Sequence, residues 1–168
     1  PAASDAAYFV KAIGQNMSGR VDRLNRQGDR EAQRSLDGPY WHHAGGLRAW
    51  GDTLLSLAGF RPVIERMPLA FNASTSVDTT ALVGFDSPML ERRYAFSQGD
   101  VERPPLLTPD AAPLGDSLYV LNLRPGWIRV DVYDRSGRLQ HALVESHEGG
   151  NPNFNAVGLD VRRDGEAL

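Results

Sequence analysis

Apolar residues in the first third of the chain recur every three or four positions, the spacing that aligns side chains on one helical face. The first such series is Ala6, Phe9, Val10, Ile13, Met17, Val21 and Leu24. Ser4 is a suitable N-cap residue and Gly28 a suitable stop. A second series predicts a helix over residues 47–58, and residues 29–36 fit a shorter helix. The pattern therefore predicts that residues 1–60 are mainly helical.

After residue 60 the hydrophobic period shortens towards two, which is typical of strands. The alternation predicts strands over 61–71, 77–85, 89–96, 118–123, 127–133, 138–144 and 157–161. These strands form β hairpins within 61–97 and 117–168, separated by a proline-rich loop over 98–116. The predicted fold class is α+β, with N-terminal helices packed on an antiparallel β-sheet or meander. We expect residues 1–168 to form a single domain.

A weak internal echo links two of the predicted turns. The pairs Phe85-Asp86 and Tyr133-Asp134 lie about 48 residues apart, a spacing found in some propeller blades. The stretch from Leu118 to Val161 also resembles an NHL-type propeller blade, which implies an antiparallel meander. A closed propeller needs typically four to eight blades, and two copies fit here. We therefore interpret the echo as an indication of antiparallel hairpins.

Composition narrows the function classes. The formal net charge of −3 argues against nucleic-acid binding, which usually requires a basic excess. The chain contains no cysteine, so disulfides and thiolate chemistry are excluded. No apolar run approaches the roughly 20 residues that span a bilayer, so we expect no transmembrane segment. All basic residues except Lys11 are arginine.

Candidate chemistry concentrates in the loop that contains His42 and His43. Adjacent residues of an extended segment point to opposite faces, and no other histidine lies at a ligand spacing, so we predict no metal site and no cofactor. The chain carries no GxSxG motif and no obvious carboxylate pair. Catalytic residues are therefore unidentified, and we expect the chain not to be an enzyme.

Large rings and one arginine form the predicted binding surface for a partner. Its residues are Tyr40, Trp41, His42, His43, Arg48 and Trp127. The leading hypothesis is a non-catalytic binding or assembly module of the bacterial cell envelope or secreted space, with another protein as its partner. The small-residue start Pro1–Ser4 favours a periplasmic or secreted location, although a cysteine-free chain is also compatible with the cytoplasm.

Two alternatives stay open. A long helix followed by a sheet is similar to a pilin or pseudopilin, a subunit of a pilus or secretion system, by analogy of fold alone. The chain could instead be a small enzyme or ligand-binding protein with a pocket near His42 and His43, which requires a cavity with converging polar groups. Oligomeric state is left open by both.

Overall fold

A computed structural model of the chain describes residues 2–4, 7–13, 17–146 and 156–162. The structure is mostly β, with three antiparallel sheets and one α-helix among the described residues. The chain divides into two compact units, Pro1–Ala81 and Leu82–Leu168. The single domain over residues 1–168 stays a prediction.

The first unit begins with a four-stranded antiparallel sheet, called the first sheet. Its strands follow chain order and are β1 (Ala2–Ser4), β2 (Ala7–Ile13), β3 (Ser18–Leu24) and β4 (Arg30–Pro39). A single 3-10 turn, Tyr40–His43, follows directly.

The second sheet completes the first unit. Its strands, again in chain order, are β5 (Leu47–Trp50), β6 (Thr53–Leu57), β7 (Val63–Pro68) and β8 (Asp78–Ala81). An apolar core joins the two sheets of this unit. Its buried residues are Ala7, Phe9, Val21, Leu36, Leu47, Leu54, Met67 and Phe71.

The prediction of N-terminal helices, and with it the α+β fold class, is wrong. Residues 7–13 and 18–24 pair as antiparallel strands, with Lys11 opposite Val21. The error has a physical cause, because a spacing of four satisfies a period of 3.6 and a period of 2 equally. Phe9, Ile13 and Val21 therefore share one face of the first sheet, although their spacing also fits one helical face. Residues 5–6 and 14–16, within the predicted helix, lie outside the described residues.

The other two predicted helices in this region are also wrong. Residues 30–39 form β4, and residues 47–57 form the β5–β6 hairpin. The hairpin turns at Gly51, whose φ of 62° is accessible to glycine at little energetic penalty. Leu54 and Leu55 are both fully buried although they point to opposite faces. A strand buried on both faces lacks the alternation that identifies strands in a sequence.

The second unit contains the α-helix α1 (Leu90–Gln98) and the third sheet. This sheet is also antiparallel and in chain order, with strands β9 (Ala111–Leu114), β10 (Ser117–Arg124), β11 (Trp127–Tyr133) and β12 (Leu139–Ser146). The strands predicted over 118–123, 127–133 and 138–144 are confirmed as β10, β11 and β12. Residues 61–71 and 77–85 contain β7 and β8, each shorter than predicted.

Four expectations for the second unit are corrected. Residues 90–96 of the strand predicted over 89–96 belong to helix α1. Before the helix, the Met89 N–H donates to Ser87 Oγ at 3.2 Å, and after it Gly99 has a φ of 86°. The proline-rich loop contains β9 at its end, and residues 156–162 form no strand. Phe85-Asp86 precedes α1 and is not at a hairpin turn, unlike Tyr133-Asp134, so this pairing of turns is wrong.

Candidate functional site

His43 lies at the end of the 3-10 turn and is buried, with 5% of its surface exposed. Its Nδ1 hydrogen-bonds to Oε1 of Glu65 on β7. Its Nε2 lies 2.9 Å from the backbone oxygen of Asp37. Both ring nitrogens therefore face oxygen acceptors, one from each sheet of the first unit.

Glu65 is the centre of this buried group. Ser56 Oγ donates to its Oε2 at 2.7 Å, and Arg61 Nη2 donates to its Oε1 at 3.1 Å. Burial by itself raises the pKa of a carboxyl group. The hydrogen bonds from His43 and Ser56, with the charges of His43 and Lys11, outweigh burial and hold the pKa of Glu65 below its usual value. Glu65 is therefore a buried carboxylate.

Lys11 connects the two sheets. It extends from β2, and its Nζ donates to the backbone oxygens of His43 at 2.5 Å and Leu57 at 2.6 Å. Burial lowers the pKa of Lys11 to about 8, although the charge of Glu65 opposes that shift. We call Lys11, His43, Ser56, Arg61 and Glu65 the His43–Glu65 cluster.

The hydrogen bonds of the cluster run between its own members and the backbone. Both ring nitrogens of His43 are held against oxygen atoms, Oε1 of Glu65 and the backbone oxygen of Asp37. Ser56 donates to Glu65 and not to the imidazole, so it is not activated as a nucleophile. The cluster holds the two sheets together.

An open groove of about 360 Å³ lies beside the cluster. Its lining is largely apolar, and the side chains that supply this character are Ala12, Ile13, Leu36, Tyr40 and Ala44. Ile13 is 57% exposed and Tyr40 is 37% exposed. Arg20 also lines the groove and donates through Nε to Asp22 at 3.0 Å.

The structure brings together four of the six residues predicted to bind a partner. Tyr40 and His43 line the groove, while the rings of Trp41 and His42 pack edge to face with centroids 4.1 Å apart. The His42 backbone oxygen accepts from Arg61 Nε at 3.1 Å and Nη2 at 3.0 Å.

The other two predicted residues lie elsewhere. Arg48 is on β5 and donates to the Leu47 backbone oxygen at 3.0 Å. Trp127 begins β11 in the second unit and is about half exposed. Whether any of the six residues binds a partner stays a prediction.

Sequence reasoning missed the residues that fix His43. Glu65 and Ser56 are directly paired across β6 and β7, and Lys11 arrives from the other sheet. One signal was available: Glu65 shares a strand face with Met67, so it is a charged residue in a position expected to be buried. Lys11 was also conspicuous as the one lysine of the sequence.

The second unit has a buried polar network of its own. Asp131 is fully buried and accepts from Arg129 Nε at 2.6 Å and Asn122 Nδ2 at 2.7 Å. Asn122 Nδ2 also donates to the backbone oxygen of Asp86 at 2.8 Å. Burial, together with the charge of Asp131, raises the pKa of Tyr133. The network fixes the segment before α1 to the third sheet.

Within the described parts of the chain, no group of three or more histidine, aspartate or glutamate side chains could hold a metal ion. The same residues include no helix long and apolar enough to cross a membrane. Comparison with protein-family models gives no match, and comparison with curated proteins also gives none. The site must therefore be interpreted from its own geometry.

Proposed function

We propose that the chain is a non-catalytic binding module, and that the groove of the first unit takes an apolar segment of another protein. The observation that carries the proposal is the exposure of Ile13 and Tyr40 on an open, largely apolar groove. Neighbouring exposed apolar side chains mark interaction sites more often than isolated ones do. Both ring nitrogens of the adjacent His43 are occupied by hydrogen bonds, which supports binding over proton transfer.

The enzyme alternative uses the same groove but requires His43 to exchange a proton. Its Nδ1 is bonded to Glu65 and its Nε2 to Asp37, so a substrate would first have to break a buried hydrogen bond. The pilin-like alternative rested on a long N-terminal helix, and strands occupy that region instead. The envelope or secreted location stays a prediction.

A peptide library displayed on phage tests the proposal without a known partner. Selection on the wild-type chain should enrich peptides rich in Leu, Phe or Trp, with Kd values in the micromolar range. Fluorescence polarisation then compares the wild-type chain with Ile13→Asp, which places a charge on the groove wall. We expect at least tenfold weaker binding to this variant.

Tyr94→Asp is the matched control, because Tyr94 is an exposed apolar residue on α1 of the second unit. Peptides selected on the wild-type chain should bind this variant with unchanged affinity. Equal binding to wild type and Ile13→Asp, or failure to enrich any apolar sequence, would reject the groove as the binding site.

A further inference from the structure

The three sheets share one plan. Each is a four-stranded antiparallel meander in chain order, and two residues separate its first two strands. In the second and third sheets this turn is Gly51-Asp52 and Gly115-Asp116. The two glycines have φ values of 62° and 59°. The same turn chemistry therefore opens both sheets.

The third strand of the first sheet and that of the third sheet carry similar local sequences, which share an Arg-Val-Asp triplet and a later glycine. Residues 20–29 read RVDRLNRQGD and residues 129–138 read RVDVYDRSGR. In both, the arginine Nε donates to the aspartate two positions later, as in Arg20 to Asp22 and Arg129 to Asp131. The distant stretches thus build the same ion pair on equivalent strands.

The hairpin turn after that strand is also the same. Asn25 Oδ1 accepts from the backbone N–H groups of Gln27 at 2.9 Å and Asp29 at 2.8 Å. In the third sheet, Asp134 Oδ1 accepts from Ser136 at 2.8 Å and Arg138 at 3.1 Å. The turn glycines, Gly28 and Gly137, have φ values of 90° and 81°. An Asx side chain and a left-handed glycine define both turns.

Strand register extends the correspondence to all three sheets. In each sheet, the fifth residue of the second strand lies opposite a β-branched residue of the third strand. The pairs, in sheet order, are Lys11–Val21, Leu57–Ile64 and Leu121–Val130. The residue after each β-branched one is a buried acid, and these are Asp22, Glu65 and Asp131. The sheets are therefore copies of one repeat. We name its two surfaces the branched face and the acid face after these positions.

In the first unit the repeats stack with opposite faces in contact. Phe9 and Val21, on the branched face of the first sheet, share a core with Leu54 and Met67 on the acid face of the second sheet. Arg34, opposite Val21 on β4, donates through Nε to the backbone oxygen of Thr75 at 2.6 Å. Thr75 precedes β8, so the outer strand also takes part in the contact between the two sheets.

Two residues at equivalent contact positions are exposed. Tyr8 lies on the acid face of the first sheet and is the second residue of its strand. Leu54 holds the same position in the second sheet. Leu54 is fully buried, whereas Tyr8 is 46% exposed. Leu143 lies opposite Val130 on the outer strand of the third sheet and is 53% exposed. Its equivalent in the first sheet is Arg34, which lies opposite Val21.

We propose that copies of this chain associate head to tail, with the branched face of the third sheet in one copy receiving the acid face of the first sheet in the next. The occupant is a second copy because the first unit already shows a sheet of this repeat seated on the equivalent face. Val130 is 7% exposed, so the contact is confined to β12 and its surroundings. The association is therefore weak and depends on concentration.

Two different surfaces form this contact, so the interface is heterologous and leads to rings or open chains. Each copy offers one Leu143 surface and one Tyr8 surface. A variant that loses either surface cannot associate with itself, but it keeps the surface that the other variant has lost. This complementarity separates head-to-tail association from a symmetric dimer.

Sedimentation velocity of the full chain, from about 5 to 500 μM, tests the proposal. The wild-type weight-average mass should rise above the 18.4 kDa monomer as concentration increases. Tyr8→Asp and Leu143→Asp should each remain monomeric, with unchanged circular dichroism because both side chains are about half exposed. Mixed in equal amounts, the two variants should form a 1:1 dimer and nothing larger.

Val144→Asp is the matched control. Val144 is the next residue of β12, has similar exposure at 56%, and points to the opposite face. This variant should associate as the wild type does. A monomeric wild type, a mixture of the two variants that stays monomeric, or loss of association in Val144→Asp overturns the proposal. The three variants change no residue of the groove, so peptide binding in the groove can be measured separately on each of them.

Discussion

Lys11 makes the stability of the first unit depend on pH in an unusual direction. Its pKa is about 8 in the folded chain against an ordinary value of 10.5, so the unfolded chain binds more protons between these values. Stability rises with pH wherever the unfolded state binds more protons. We therefore expect the contribution of Lys11 to increase from pH 7.5 to 9.5.

The size of the effect follows from the two pKa values. A difference of about 2.5 pKa units corresponds to about 3 kcal/mol at full extent, at 1.36 kcal/mol per unit. Between pH 7.5 and 9.5, the part recovered is about 2 kcal/mol. Lys11→Met removes the titrating group and should remove this slope. Tyrosines also titrate at high pH, so the quantity to compare is the wild-type free energy of unfolding minus that of the variant.

Urea unfolding monitored by tryptophan fluorescence supplies that quantity. In a Trp127→Phe background, the remaining tryptophans, Trp41 and Trp50, both report on the first unit. The wild-type minus Lys11→Met difference should rise by about 2 kcal/mol from pH 7.5 to 9.5. A difference that stays constant, or that falls, would refute the assignment of Lys11 as a buried amine with a lowered pKa.

Three further expectations concern the buried networks and one turn. Glu65→Gln leaves the positive charges around it uncompensated and should lower the free energy of unfolding by about 3–5 kcal/mol in urea melts at pH 7. Because folding lowers the pKa of Glu65, the contribution of this carboxylate to the free energy of unfolding is complete above its unfolded pKa and is lost on acidification. Glu65→Gln should therefore lose less stability than the wild type as the pH falls through this range. Asp131→Ala should destabilise the second unit by a similar amount, and unchanged melting of that variant would show that its network is dispensable. Gly28→Ala should cost about 1 kcal/mol in the same melts because its φ is 90° and nothing contacts the added Cβ; a neutral result would contradict the turn geometry.

The antiparallel hairpins after residue 117 could be predicted because polar and apolar residues alternate along their strands. Trp127, Arg129 and Asp131 alternate with apolar neighbours along β11, and their period of two is unambiguous. The first third of the chain lacks such contrast. Phe9 and Val21 fit a helical period and a strand period alike. Leu54 and Leu55 are adjacent and both fully buried, so they show no alternation of apolar and polar residues. Local propensity could not settle these segments because tertiary packing determined them.

The candidate site was only partly accessible from the sequence for a different reason. Tyr40 and His43 were identified because aromatic and imidazole side chains cluster in one short stretch. Lys11 and Glu65 reach His43 from two different sheets, and their convergence depends on strand register. A residue's neighbours along the chain do not contain that information.

The position of the repeat could not be predicted from the sequence for a similar reason. The aromatic-Asp pattern pairs Tyr133-Asp134 with Phe85-Asp86, whereas its structural equivalent is Leu24-Asn25. The shared features are the Arg-Val-Asp triplet and the later turn glycine, and the aromatic residue is incidental. Burial of the acid at position 22, 65 or 131 becomes visible only after the sheets are aligned by register.

The proposal of a non-catalytic module depends most directly on the state of the His43 ring. Long-range ¹H–¹⁵N NMR of the histidine side chains at pH 7, with His43→Gln for assignment, reports the hydrogen-bonded state of each ring nitrogen. We expect both ring nitrogens of His43 to show the ¹⁵N shifts of hydrogen-bonded nitrogens, with the Nδ1 proton shifted downfield by its hydrogen bond to Glu65. A ring nitrogen without a hydrogen-bond partner would contradict the proposal, because it would leave His43 open to act as a base beside the groove.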